Sequence, residues 1–153
     1  MSKIYKLSQL VKKNANGNNN LGRAFGVYEL IALNKNGSPR TLYRAKGRDD
    51  RGILYIGRSG ARRGRTILQR LKEFWKSAGT NNGKYSHCAG EHYQRLRAPN
   101  WVPLDCVGVR IWVCNQTTNA KRDTEIKQVE KRRIENYARR HKELPPLNRS
   151  WPK

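Results

Sequence analysis

The chain has 153 residues, of which 33 are Lys or Arg, 11 are Asp or Glu and 36% are apolar, giving a formal charge of +22. That length suits one domain with a modest core. The charge excess opposes compaction by self-repulsion and is screened by a polyanion, so nucleic acid is the expected partner, through counterion release at each neutralised phosphate. No basic stretch has the bulky apolar face that an acidic membrane surface requires, and no apolar run reaches transmembrane length. The opening residues are too polar for a signal peptide. Cys88, Cys106 and Cys114 are odd in number and irregularly spaced, as expected of free thiols in a reducing, cytoplasmic setting.

Along the chain, Ile4, Leu7, Leu10 and Val11 have helical spacing and predict one short basic helix. The Asn-rich run after it predicts a linker. Residues 1–22 are therefore expected to be a basic arm and linker, with Lys3, Lys6, Lys12 and Lys13 available to nucleic acid, and 23–153 the folded domain. FGVYELIAL predicts a strand, NKNGSPR a turn, TLYRAK a second strand, GRDDRG a turn and ILYIG a third strand. A Gly- and Arg-rich loop follows. Thr66 then caps an amphipathic helix whose apolar stripe is Ile67, Leu71, Phe74, Trp75 and Ala78. HCAGEHYQRL predicts a short helix and RAPNWVP a loop. The alternating Val107, Val109, Ile111 and Val113 predict a strand, and NQTTNAKRD a turn. A long helix is expected from about Thr124 to His141, its inward stripe being Ile126, Val129, the stem of Arg133, Ile134 and Tyr137. The order β-β-β-α-(α)-β-α makes an α+β domain, a small antiparallel or mixed sheet flanked by helices.

Phosphodiester hydrolysis needs a base for water, cations for the charge that builds on phosphate, and stabilisation of the leaving oxygen, often by a carboxylate-held metal. Gly26-Val27-Tyr28 and Tyr55-Ile56-Gly57 sit in the first and third predicted strands. Arg70 follows on a helix, bordering its apolar stripe, where its stem can lie along the core and its guanidinium can grip phosphate bidentately. Glu135 follows on the long helix, beside Ile134, and Asn148 comes after Pro145-Pro146. This succession from Phe25 to Trp151 resembles the GIY-YIG nuclease superfamily, and in layout its type II restriction endonucleases.

The resemblance implies a Mg²⁺- or Mn²⁺-dependent endonuclease acting on double-stranded DNA. It implies that one tyrosine, Tyr28 by preference, takes the proton of the attacking water while the other orients the site. Arg58 stands after the second triplet where relatives often carry Lys. Glu135 would hold the metal, and Asn148 would position groups by side-chain hydrogen bonds. The alternatives are a homing-type or repair-like member of the family and a non-catalytic basic nucleic-acid-binding protein.

Three departures shape the expectation. Tyr28 and Tyr55 are 27 positions apart, so residues of about 35–52 form an inserted strand or hairpin. Its Arg44, Lys46 and Arg48, with Arg62, Arg63 and Arg65 of the Gly- and Arg-rich loop, are the expected DNA contacts. Phe74 stands where many relatives have a proton-exchanging residue, and His87 is the candidate to replace it. No second recognition domain follows, which favours a free-standing restriction-type enzyme, working as a homodimer if both strands are cut together. His87, Cys88, His92 and Cys114 are zinc-ligand types, but their spacing matches no common zinc finger.

Overall fold

The computed structural model describes residues 3–13, 20–60, 64–79, 87–96 and 98–151. It is an α+β domain. Its strands are β1 (Ile4–Lys6), β2 (Gly26–Ala32), β3 (Leu42–Arg44), β4 (Gly47–Asp49), β5 (Ile53–Arg58) and β6 (Val107–Val113), and its helices are α1 (Leu7–Lys13), α2 (Ile67–Ala78), α3 (Cys88–Arg95) and α4 (Asn119–His141). Four strands form one antiparallel sheet in the order β1-β6-β2-β5, and β3 and β4 form a separate hairpin.

The sheet is covered on both faces, which explains why every residue of β2 is buried. On one face Tyr28, Leu30, Ala32, Val107 and Val109 pack with Leu7 and Leu10 of α1, Leu71 and Phe74 of α2, and Tyr93 of α3. On the other face Val27, Ile53 and Ile56 pack with Ile126, Ile134 and Tyr137 of α4. Burial of each such side chain contributes about 1.5–3 kcal/mol. The second face also buries a charge. Glu29 is enclosed beside Arg110 (2.9 Å), Arg133 (2.8 Å) and Arg51 (3.4 Å). An enclosed carboxylate needs such partners, and here they tie α4 and the turn before β5 to the strand that carries Tyr28.

Three expectations change. Residues 4–6 are not helical: they pair with β6, and helix begins only at Leu7. The arm is thereby part of the fold, because Leu7 and Leu10 are buried in the core; residues 14–19 of the expected linker lie outside the described residues. The turn expected at GRDDRG contains β4, which pairs with β3. Finally, α4 starts at Asn119, with the Thr118 side chain accepting from Lys121 N–H. Four of the five residues before Thr124 are polar because that first part of the helix is largely exposed, and polarity there mimics a turn.

The inserted hairpin is locked rather than projecting. Arg44 pairs with Glu143 (3.0 Å) and donates to Leu144 O (2.8 Å), and Ala45 N–H donates to Glu143 Oε1 (2.8 Å). Among the described residues no helix is long and apolar enough to cross a membrane.

Candidate active site

The two name-giving tyrosines meet across one strand pair. Tyr28 lies opposite Gly57, and Tyr55 opposite Leu30, so both rings fall on the same face of the sheet, with centroids 6.0 Å apart. Gly57 is required by contact. A Cβ there would stand 2.3 Å from Cε1 of the Tyr55 ring, which lies across the glycine.

His87 enters from a third direction. It is the N-cap of α3, and its Nδ1 accepts from Ala89 N–H (3.2 Å), while its own N–H donates to Ser77 Oγ on α2 (3.2 Å). Gly90 lets α3 approach α2 this closely, since a Cβ there would lie 2.5 Å from Ser77 Cβ. The cap fixes the tautomer: a nitrogen that accepts is unprotonated, so neutral His87 carries its proton on Nε2. That nitrogen is 2.9 Å from the Tyr28 hydroxyl. The imidazole thus donates to the phenol oxygen. Edge contacts with Phe74 and Tyr55, both at 5.6 Å between centroids, fix the ring. Phe74, which cannot exchange protons, is the wall that seats the histidine.

Burial dominates the protonation states. Desolvation pushes Tyr28 well above its ordinary value and Tyr55 up to about 12, with Arg70 opposing both shifts. Desolvation, followed by the charges of Arg70 and Arg65, lowers His87 to about 3. At neutral pH the resting site therefore holds two phenols and a neutral imidazole. The cations beside the tyrosines act against burial without overcoming it.

Arg70, from α2, is held by Glu73, which also pairs with Arg65 (3.6 Å), and it reaches the Tyr28 hydroxyl as well. Arg58, at the end of β5, pairs with Glu130 of α4 (3.2 Å). Arg58, Arg65, Arg70 and Lys127 line a cleft of about 360 Å³, together with Ser59, Gly60, Asp123 and Ile126. Four cations around so small a space suit a phosphate.

On the long helix the carboxylate that meets this cluster is Glu130, whereas Glu135 points elsewhere. Glu130 is only 14% exposed, and burial raises its pKa against the pull of Arg58 and Arg70. Glu135 is 44% exposed and pairs with Lys131 one turn back. Five residues along a helix turn it about 140° away and carry it about 7.5 Å further on. The pair Glu130 makes, with Arg58, lies within the cluster, and the pair Glu135 makes lies outside it. The legible signal is periodicity: Ile126, Glu130 and Ile134 are spaced by four, so Glu130 interrupts a buried stripe.

Asn148 is placed otherwise than at the reacting centre. Its Oδ1 accepts from Ile56 N–H (3.0 Å) and its Nδ2 donates to Ile56 O (2.8 Å), so it braces the backbone between Tyr55 and Gly57. Of the expected DNA contacts, Lys46 and Arg48 are exposed on the hairpin, Arg65 lines the cleft, and Arg44 is taken up by Glu143 and Leu144. Arg62 and Arg63 lie outside the described residues.

Among the described residues no group of three or more His, Cys, Asp or Glu is arranged to hold a metal. The mostly buried Glu130 beside a phosphate-sized cleft fits a different kind of ion, a hard divalent cation that keeps its waters and takes further oxygens from substrate. Comparison of the chain with models of protein families, with curated proteins and with solved structures finds no match in any of the three.

Proposed function

We propose that the protein is a Mg²⁺-dependent endonuclease of the GIY-YIG type that hydrolyses phosphodiester bonds in DNA. The observation that carries this is the convergence of Tyr28, Tyr55, Arg70 and His87, with the Arg58–Glu130 pair, beside one cation-lined cleft. Those groups come from β2, β5, α2, α4 and the cap of α3. A protein that only gripped phosphates would need the cations but not a buried phenol–imidazole pair next to them.

In this reading a DNA phosphate enters the cleft and is gripped by Arg58, Arg65, Arg70 and Lys127. Arg70 and the Nε2–H of His87 both aim at the Tyr28 oxygen, where they stabilise its anion against the cost of burial. The Tyr28 phenolate, its own proton lost to solvent, takes a proton from the attacking water. The hydroxide so formed makes the new P–O bond as the bond to the deoxyribose oxygen breaks, and that oxygen takes its proton from solvent. Tyr55 packs against His87 and helps fix the imidazole. Glu130 would hold the divalent ion, which supplies charge neutralisation at the phosphate and the leaving oxygen when bound. The restriction-type assignment and a homodimer that cuts both strands belong to the same proposal, with the exposed Lys46 of the hairpin available for recognition, and Arg48 if it exchanges its surface pair with Asp50 (3.0 Å) for phosphate.

The experiment is cleavage of plasmid DNA with Mg²⁺ or Mn²⁺ by wild type, Glu130→Gln and Glu135→Gln. Wild type and Glu135→Gln should cut, and Glu130→Gln should lose about 10²–10³ in rate, the usual cost of one preorganised electrostatic group. An inert wild type, or a Glu130→Gln that cuts normally, refutes the proposal.

A further inference from the structure

Away from the cleft lies a second concavity of about 620 Å³, which no step above uses. Three segments distant in sequence frame it: the hairpin strand β3, the Leu96–Trp101 region, and Leu144–Pro146 with Asn148. It is braced before any ligand arrives, because Arg40 donates to Trp101 O and Arg44 to Leu144 O. Within it Tyr43 is 83% exposed and Leu96 45% exposed, beside the partly buried Trp101. Large apolar side chains gathered at one exposed spot mark a binding surface. Its one lining carboxylate, Glu143, is already paired with Arg44 at 3.0 Å. Each guanidinium has five donors, and these contacts leave some over.

One residue of the groove is tied to the strand that carries Tyr55 and Arg58. Asn148 lines it and is bonded through both side-chain atoms to Ile56, the neighbour of Tyr55. Arg58, two residues further along the same strand, lines the cleft.

We propose that this groove binds an unpaired nucleobase of the strand whose phosphate occupies the cleft, stacked on Tyr43 and bordered by Trp101 and Leu96. This rests on the nucleic-acid reading of the cleft. Aromatic faces accept any base, and stacking is a sequence-tolerant source of affinity. Arginines and a net charge of +22 suit a polyanionic strand better than a peptide.

The test compares a twelve-nucleotide oligothymidylate with an abasic chain of the same length, which keeps the phosphates and lacks the bases. Binding is measured by fluorescence anisotropy in metal-free buffer across a salt series. Tyr43→Ala should weaken the oligothymidylate complex by about 5- to 100-fold, the range for loss of one base stack. It should change the abasic complex less than twofold and leave the salt slope unaltered. Tyr43→Phe should bind as wild type does. Tyr43 is exposed, so the Ala variant should melt with wild type, which separates stacking from misfolding. Equal weakening on both chains, or none on either, overturns the proposal. Plasmid cleavage by wild type separates the two readings. If it cuts and Tyr43→Ala binds oligothymidylate normally, the groove proposal alone fails. If wild type binds neither chain, the groove proposal fails with the reading beneath it.

Discussion

Replacing His87 with Asn separates two jobs of one side chain. Asn can still cap α3 by accepting from Ala89 N–H, as the Nδ1 of His87 does, but it cannot be protonated. The folded protein holds His87 at about 3 against an ordinary 6.5, chiefly by burial. The folded pKa is depressed, so the contribution is complete above pH 6.5 and is lost as pH falls towards 3. A gap of about 3.5 units at about 1.36 kcal/mol each amounts to roughly 5 kcal/mol over the whole window. At neutral pH the variant should be less stable than wild type by about 2 kcal/mol, since Tyr28 loses a buried partner at 2.9 Å. By pH 4.5 wild type has forfeited about 2 to 3 kcal/mol that the variant never had. Denaturant unfolding from pH 8 to pH 3 should therefore give curves that converge and cross near pH 5. General acid repulsion acts on both proteins alike and cancels in the difference. Two curves that stay parallel throughout would refute the burial of a neutral imidazole at this position.

Arg58→Gln should tighten Mn²⁺ binding to the DNA-free protein by about tenfold, read by the electron paramagnetic resonance of free Mn²⁺, because it removes a cation 3.2 Å from Glu130; unchanged or weaker binding would count against Glu130 as the metal carboxylate. Gly57→Ala should leave the melting temperature within a few degrees of wild type yet lower the cleavage rate at least tenfold, since a Cβ displaces the Tyr55 ring rather than backbone. The kcat/KM for cleavage should climb about tenfold per pH unit without a plateau below pH 10, because Tyr28 is held above its ordinary value; a plateau near neutrality would point to another base. Asn148→Ala should cost about 1–3 kcal/mol in chemical denaturation, from two hydrogen bonds to Ile56, and Asn148→Asp should fare no better because a carboxylate would face Ile56 O.

The periodic elements were legible because burial writes itself into spacing. The stripe from Ile67 to Ala78 gives α2, the alternation from Val107 gives β6, and the apolar run around Tyr28 gives β2. Short elements were not, because their pairing is decided by distant residues: Ile4–Lys6 has no strand pattern of its own and is extended only because β6 offers an edge. In the site, Tyr28, Tyr55, Arg58, Arg70 and His87 could be picked out one by one, but the hydrogen bond between Tyr28 and His87 spans 59 positions and leaves no local trace. Glu130 stands among basic neighbours, Lys127 and Lys131, that disguise it, although its place in the Ile126–Ile134 stripe marks it as facing inward.

The brace on β5 has a temporal side. β5 is an edge strand, and its outer backbone groups are met by the last part of the chain: Leu147 N–H donates to Leu54 O (2.8 Å), and Asn148 spans Ile56. An uncovered edge is a template for pairing with another chain. As residues leave the ribosome in order, Tyr55 emerges some ninety residues before the segment that steadies its strand, and Tyr28 earlier still. The rest of the domain can collapse early, but the strand that carries Tyr55 is steadied only once Leu147 and Asn148 have emerged. A growing chain thus carries a sticky edge and an unfinished centre until those residues emerge, and the same few residues close both.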